Sequence, residues 1–548
     1  MYTSIFYQPD EYYSGGDKIM GRNVASESFL KAYLSYSGDE HIFLTVDNLD
    51  YLTTFKRRYA KELDGRDVHS ISSTNYDDHS KVGNIFFPSP LIEPIASKRY
   101  LFSPKSWSIT GVTHTTSSQR ITDGIKHLIT APVYNWDSVI CTSTAVKRHL
   151  TNILDTQKQF LEQRFGKIEF TMANMPVIPL GIFTDDFEIS SMQRSAAKGS
   201  LGVTEEDIVV LYVGRLSFHA KSNPLAMYQA LEQASVVCSR KIVLIEVGWY
   251  ANEAIEQAYV AARHRVLNHV RSIFLDGTKI EQRRLGWSAA DIFCSFSDNI
   301  QETFGITPVE GMAAGLPVIA SDWNGYKDTI RHGEEGFLVE TTMPRAGTGR
   351  ELSIRYQLDA DSYDRYCGYT SSLVEVNIEL AAHYLSELVE NQPLRQKMGD
   401  AAKNRAVNAY SWSQIIPLYK EMWASNAEKR ASFDNSSHNT PSNHYSDPFI
   451  DFSHYPTAQI SQNMKVKLNS DNRDMALAKY RSLMTLAMVN YSSITHPEEH
   501  EVEKICLMLD ESPRTIQEIL YEIPHMRREH VERGISALLK LGIIFRVP

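Results

Sequence analysis

The stretch from Glu302 to Glu310, ETFGITPVE, runs straight into GMAAGLPVIAS and constrains this chain more than any other segment. Two glutamates stand eight positions apart around a small turn, with an apolar helix and strand following. Phe304, Gly305 and Ile306 precede Thr307 and Pro308, so the turn opens a helix with proline in its first turn, where the absent N–H is not missed. The free amides at such a start converge on one spot and carry about half a positive charge, which suits a phosphate. Glu302 lies before the helix and Glu310 within it, so their carboxylates reach hydroxyls on opposite sides of a bound phosphate. A sugar nucleotide, with its sugar, diphosphate and ribose, has that layout.

Upstream, IVVLYVGRLSFHAK gives an apolar run from Ile208 to Val213 bounded by Gly214. Such a run predicts a parallel strand covered on both faces. Arg215 and Lys221 then arrive at its carboxyl end, where two cations neutralise a leaving diphosphate; the plainer reading is a solvated loop with two surface cations. An arginine in a bidentate phosphate contact is not replaceable by lysine without loss.

Together these blocks resemble the retaining GT-B glycosyltransferases, specifically glycosyltransferase family 4. The resemblance implies an α/β fold of two Rossmann-like domains facing a cleft. It also implies that Glu302 binds donor-sugar hydroxyls, that Glu310 binds the ribose, and that the backbone of Phe304, Gly305, Ile306 and Thr307 holds the phosphate. Arg215 and Lys221, beside Gly214, grip the pyrophosphate, and the backbone around Gly277 and Thr278 sets the nucleotide base, with UDP expected. In WSITGVTHTTSS, a strand ends in His114, which resembles the family residue that hydrogen-bonds the donor sugar near its reacting carbon; a lone histidine is more often structural. Gly15 and Gly16 follow the first strand and are candidates for contact with donor phosphate or acceptor, a plain turn being an equal reading. The chain departs from the family pattern at Asn324, Gly325 and Asp328, where many members carry Gly-Gly and Glu, and at Leu180, which replaces the Asn of a Pro-Asn-Gly segment.

No complete dinucleotide fingerprint is present, which argues against a nicotinamide enzyme. Asp185 and Asp186 read as a helix-start cluster, and there is no Asp-x-Asp at a strand end, so neither metal nor other cofactor is expected beyond the nucleotide sugar as substrate. The five cysteines are scattered without metal-ligand spacing, which fits a reducing cytosol. No signal peptide or bilayer-length apolar run is seen, so a cytoplasmic protein is expected, with peripheral membrane docking left open.

At 548 residues the chain exceeds what one core supports. The expected plan is an acceptor-side Rossmann-like domain at 1–187, a nucleotide-sugar domain at 188–411, a crossover helix at 412–424, a Ser/Asn/His-rich linker at 425–472, and a compact unit at 473–548. Within the second domain, Thr341 to Asn377 matches the family poorly and reads as a Tyr-rich insertion. In the last unit, a helix over Arg473–Tyr491 precedes three short amphipathic helices closed by IIFRV, which resembles a winged helix-turn-helix domain. The net charge of −10 argues against a nonspecific nucleic-acid binder. From Glu498 to Pro548, ten acidic residues face seven Lys and Arg. Glu529 and Glu532 interleave with His525, Arg527, Arg528 and Arg533, so a protein or peptide partner or self-association is favoured over a purely structural cap, and both over DNA. The acceptor is unknown: a glycan, a lipid-linked glycan, a small molecule or a protein. The rival readings are an inert nucleotide- or glycan-binding regulator, a transcription regulator acting through its tail, and a phosphorylase or synthase on the same fold.

Overall fold

The apolar runs become the central strands of two parallel sheets. In a computed structural model, which describes residues 2–13, 21–433 and 447–547, the first sheet comprises β1 (Ser4–Phe6), β2 (His41–Val46), β3 (Asp67–Ser72), β4 (Asn84–Phe87), β5 (Ser108–Val112) and β6 (Ser138–Ile140). The second comprises β7 (Ile208–Val213), β8 (Ile242–Gly248), β9 (Arg271–Asp276), β10 (Ile292–Ser295), β11 (Val318–Ser321) and β12 (Gly336–Val339). Their orders are β3-β2-β1-β4-β5-β6 and β12-β11-β10-β7-β8-β9. Each sheet thus reverses direction beside its first strand, which opens a crevice at the carboxyl ends of the strands. All six residues of β7 and all seven of β8 are buried, as expected of strands with helices on both faces. This is the GT-B arrangement.

The chain crosses between the two sheets twice, and the crossings are tied together: Ile182 N–H donates to Tyr410 O and Trp412 N–H to Ile182 O. Leu180, at the departure from Pro-Asn-Gly, is buried in the second domain's core. After the second crossing, the helix Trp412–Ser432 returns to the first domain and buries Trp412 and Trp423 against Phe29, Tyr33 and Phe86. Trp423 Nε1 donates to Thr110 Oγ1 at 3.1 Å and Asn426 Nδ2 to Ser138 Oγ at 2.8 Å. The helix is longer than the expected 412–424, because polar anchors continue past the apolar stripe; Arg430 donates to the carbonyls of Gly83 and Ser106.

A second compact unit spans Asn443–Pro548. Its three-stranded antiparallel sheet is ordered β16-β15-β17, where β15 is Lys465–Leu468, β16 is Arg514–Thr515 and β17 is Ile544–Arg546. Helices Arg473–Met484, Glu499–Glu511, Ile516–Tyr521 and Arg528–Lys540 pack on it around Val466, Val502, Ile505, Ile516, Ile535 and Leu538. The middle strand therefore comes from KVKL, inside the stretch expected to be linker. Four residues with two apolar positions carry too little periodicity to be recognised without their partners. The helix expected over Arg473–Tyr491 ends at Met484 and resumes as the single turn Ala487–Asn490. Among the described residues, no helix is long and apolar enough to cross a membrane.

Candidate functional site

At the carboxyl ends of β7, β8 and β9, Gly214, Gly248 and Gly277 lie against one another. A Cβ on Gly248 would collide with the Gly214 carbonyl, and one on Gly277 would stand 2.8 Å from Gly248 Cα. Only glycine permits this close approach of three strand ends. Gly248 was not picked out from the sequence; its signal is its place at the end of the buried run of β8. Thr278, just beyond, turns inward on its own loop, its N–H and hydroxyl both donating to Asp276 Oδ1.

From Gly214 the chain passes to Arg215, whose guanidinium donates to Ala220 O at 3.0 Å and so braces the loop that ends in Lys221. Lys221 Nζ donates to Glu302 Oε2 at 2.6 Å. The other carboxylate oxygen of Glu302 accepts from the N–H groups of Thr303 and Phe304 at 3.1 and 3.4 Å. Burial pushes the Glu302 carboxyl up, but the Lys221 ammonium and the two amides outweigh it and hold the group below its ordinary value.

The helix Ile306–Ala313 starts immediately after. Its N-cap, Gly305, has φ +89° and no side chain among the described residues caps the helix, so the first amides are left to a ligand or water. A Cβ on Gly305 would enter the Tyr326 ring, and Phe304 buries its own ring against Tyr410. Phe304 is therefore a core side chain that contributes only its backbone to the turn. Ile306 and Thr307 form the first helical turn, partly exposed. Glu310, one turn further, has a carboxyl pushed up to about 7 by burial, with Arg283 opposing and Asp186 adding to the rise.

His114 follows β5 in the first domain. Burial, then Arg22, lowers its imidazole to about 4, so it is neutral near pH 7. Its Nε2 is buried without a hydrogen-bond partner among the described residues. Across the cleft, Thr303 Oγ1 donates to the His114 carbonyl at 2.7 Å, and Ser143 Oγ donates to Thr303 O at 2.7 Å. The structure thus gathers His114, Lys221, Glu302 and the helix start, with Arg215 bracing the loop that carries Lys221. Gly15 and Gly16 lie outside the described residues.

The departures from the family pattern serve this junction. Asn324, at φ +43°, donates its amide to Glu302 O, and Asp328 accepts from Thr144 N at the start of the helix Thr144–Phe165 in the other domain. The first contact spans 22 positions and the second 184, so only the fold brings Asp328 to Thr144. Asp298 is a further residue that sequence reading missed: buried, with Oδ1 lacking a hydrogen-bond partner among the described residues, and pushed up to about 7 by burial against the Asn223 N–H.

Residues 193–347 match the model of the Glycosyl transferases group 1 family. The matched segment holds Arg215, Lys221, Glu302 and Glu310. Among curated proteins, the chain is similar to a D-inositol 3-phosphate glycosyltransferase of Geodermatophilus obscurus, 28% identical over 43% of this chain and 52% of the relative. It is also similar to a phosphatidyl-myo-inositol mannosyltransferase of Mycobacterium leprae, 32% identical over 46% of this chain and 54% of the relative. The chain spans about half the length of these relatives. The Anabaena HepE structure in complex with UDP overlays 78% of this chain on 100% of its own with a TM-score of 0.50 at 16% identity, a likeness of fold.

Proposed function

We propose that this chain is a retaining, family 4-type glycosyltransferase that moves a sugar from a nucleotide sugar, UDP-linked, to a hydroxyl acceptor. The observation that carries the reading is the convergence of Lys221, the Glu302 carboxylate and an uncapped helix start at one point of the cleft. The glycosyltransferase names of the relatives and the group 1 match support the same class.

In this reading the donor diphosphate lies at the start of Ile306–Ala313, between Lys221 and Arg215, with its sugar toward Glu302 and His114 and its ribose toward Glu310. The acceptor oxygen bonds to the anomeric carbon on the face from which the diphosphate leaves. The anomeric C–O bond breaks, and the departing phosphate oxygen takes the acceptor proton. Catalysis then rests on positioning and on stabilising charge that builds on the diphosphate. Neutral His114 offers a hydrogen bond from a dry site without adding charge beside the reacting carbon. No metal enters this scheme, and the reaction is placed in the cytoplasm. The unit Asn443–Pro548, read as winged-helix-like, serves a protein contact or self-association.

The test is release of UDP, GDP or ADP from a panel of nucleotide sugars, with Glu302→Ala as control. Release from one donor, lost in the control, supports the reading. No release from any donor, and no thermal shift with the free nucleotides, favours an inert relative.

A further inference from the structure

The insertion at 341–377 is a closed hairpin rather than a loose loop. Its base is a two-strand ladder, β13 (Thr341–Thr342) against β14 (Glu375–Val376). Between them stand helices Arg350–Gln357 and Tyr363–Ser371. The turn joining the helices is pinned by Arg355, whose Nε and a terminal nitrogen donate to the two oxygens of buried Asp361 at 2.6 and 3.1 Å. Tyr356 and Tyr366 stack across the pair, ring centres 4.7 Å apart at 9°. Such a bidentate ion pair and ring stack hold the hairpin as one piece.

This piece touches both domains. On the first-domain side, Tyr363 OH lies 2.6 Å from Ser117 Oγ, and the Gln119 N–H, at the start of the helix Gln119–His127, donates to Tyr356 OH at 3.1 Å. Both partners follow His114 within five residues. On the second-domain side, Gly368 lies so close to His219 that a Cβ there would stand 2.9 Å from the His219 Cβ, and His219 belongs to the loop between Arg215 and Lys221. The His219 carbonyl accepts from Asn299 Nδ2 at 3.0 Å, which ties that loop to the segment entering the Glu302 turn, and buried Cys367 neighbours Gln301.

We propose that this hairpin is an interdomain clasp, in which the Tyr356 and Tyr363 hydroxyls are positioning residues that couple closure of the cleft to the placement of the Arg215–Lys221 loop and the Glu302 turn. The inference rests on the donor-site reading above. A rigid body with one face on the His114 loop and the other on both donor loops cannot register one without the other, and transfer depends on that registration. In the donor-site reading the nucleotide is held by Arg215, Lys221, Glu310 and the helix start, none of which the tyrosine hydroxyls touch.

The experiment uses the full chain and the double variant Tyr356→Phe/Tyr363→Phe, which keeps both rings and removes both hydroxyls. Expected are unchanged UDP affinity by calorimetry, kcat lower by about tenfold or more with donor KM little changed, and a larger radius of gyration by solution scattering with UDP. Ser117→Thr, which retains a hydroxyl, keeps turnover, whereas Ser117→Ala lowers it. Unchanged kcat in the double variant overturns the proposal, as does parallel loss of UDP affinity and kcat. A wild-type chain that turns over no nucleotide sugar overturns the transferase reading instead; the clasp is then judged on scattering, and identical profiles for wild type and variant overturn it.

Discussion

Lys221 Nζ sits 2.6 Å from Glu302 Oε2, joining two loops that are 81 positions apart in sequence. The lysine side chain is 33% exposed and the glutamate 8%, so the pair lies at the mouth of a largely desolvated site. An ammonium already held by a carboxylate is placed for a diphosphate but partly neutralised, and a donor has to share it.

Glu302→Gln tests that sharing. Removing the carboxylate charge frees Lys221 for phosphate while taking away the acceptor for sugar hydroxyls. The expected outcome is UDP affinity equal to or tighter than wild type, with turnover reduced by about 100-fold or more. Lys221→Ala and Arg215→Ala lower turnover by a similar order with the fold intact, and Lys221→Ala also melts lower because it leaves the buried Glu302 carboxylate without its ammonium. Near-normal turnover in either alanine variant would remove them from the diphosphate site.

Glu310 gives a pH signature. Its carboxyl is pushed up from 4.5 to about 7, first by burial. A ribose-binding carboxylate accepts hydroxyl protons best when ionised, so nucleotide affinity rises as pH climbs through about 7. Glu310→Gln flattens this profile and weakens binding. The stability change runs the other way. Between pH 4.5 and about 7 the folded chain holds a proton that the unfolded chain has released, so Glu310 costs stability as pH rises. The ligand-free Gln variant therefore melts higher than wild type at pH 8. Calorimetric titration and thermal melts at pH 6 and 8 check both halves, and an unchanged affinity profile would detach Glu310 from the ribose.

Stability of the first domain depends on a buried ion pair far from this chemistry. Arg99 and Asp137 are both fully buried, joined at 2.6 and 2.8 Å, and Asp137 also accepts from the N–H groups of Ile109 and Tyr134. Arg99 in turn donates to the carbonyls of Trp107 and Pro132. Asp137→Ala strands a buried guanidinium and two amides, with an expected cost of about 3–5 kcal/mol. Chemical denaturation measures it; a cost below about 1 kcal/mol would mean that the pair is no better than a surface one.

The strand–turn–helix of the donor side was readable because its signals are local. The apolar run Ile208–Val213 matches β7, and Gly305 falls on the left-handed N-cap of a helix with Pro308 in its first turn. What escaped reading depends on distant partners. Asn324 and Asp328 read only as departures from the family pattern, yet one holds the Glu302 carbonyl and the other the start of a first-domain helix. Lys465–Leu468 looked like linker because its pairing strands lie about fifty and eighty residues later. The tyrosines of 341–377 gave a surface-like composition with no hint that two hydroxyls bridge to Ser117 and Gln119.

Gly305 decides whether the helix start is as tightly prescribed as its geometry indicates. At φ +89° an alanine pays about 1–2 kcal/mol of backbone strain, and its Cβ would enter the ring of Tyr326. That ring cannot step aside, being fully buried with its hydroxyl 3.0 Å from Ser295 Oγ. Gly315 supplies the comparison, since it has φ +73° with nothing within 4 Å of a built Cβ, so Gly315→Ala carries the strain alone. Gly305→Ala should therefore melt well below Gly315→Ala, by an overpacking increment of about 1–3 kcal/mol. Because the collision displaces the turn that aims the amides of Phe304 to Thr307, only Gly305→Ala should also lose the thermal stabilisation that UDP confers. Equal melting temperatures and equal UDP shifts in the two variants would show that the turn yields to a side chain, and that the amides are not held in place by Gly305.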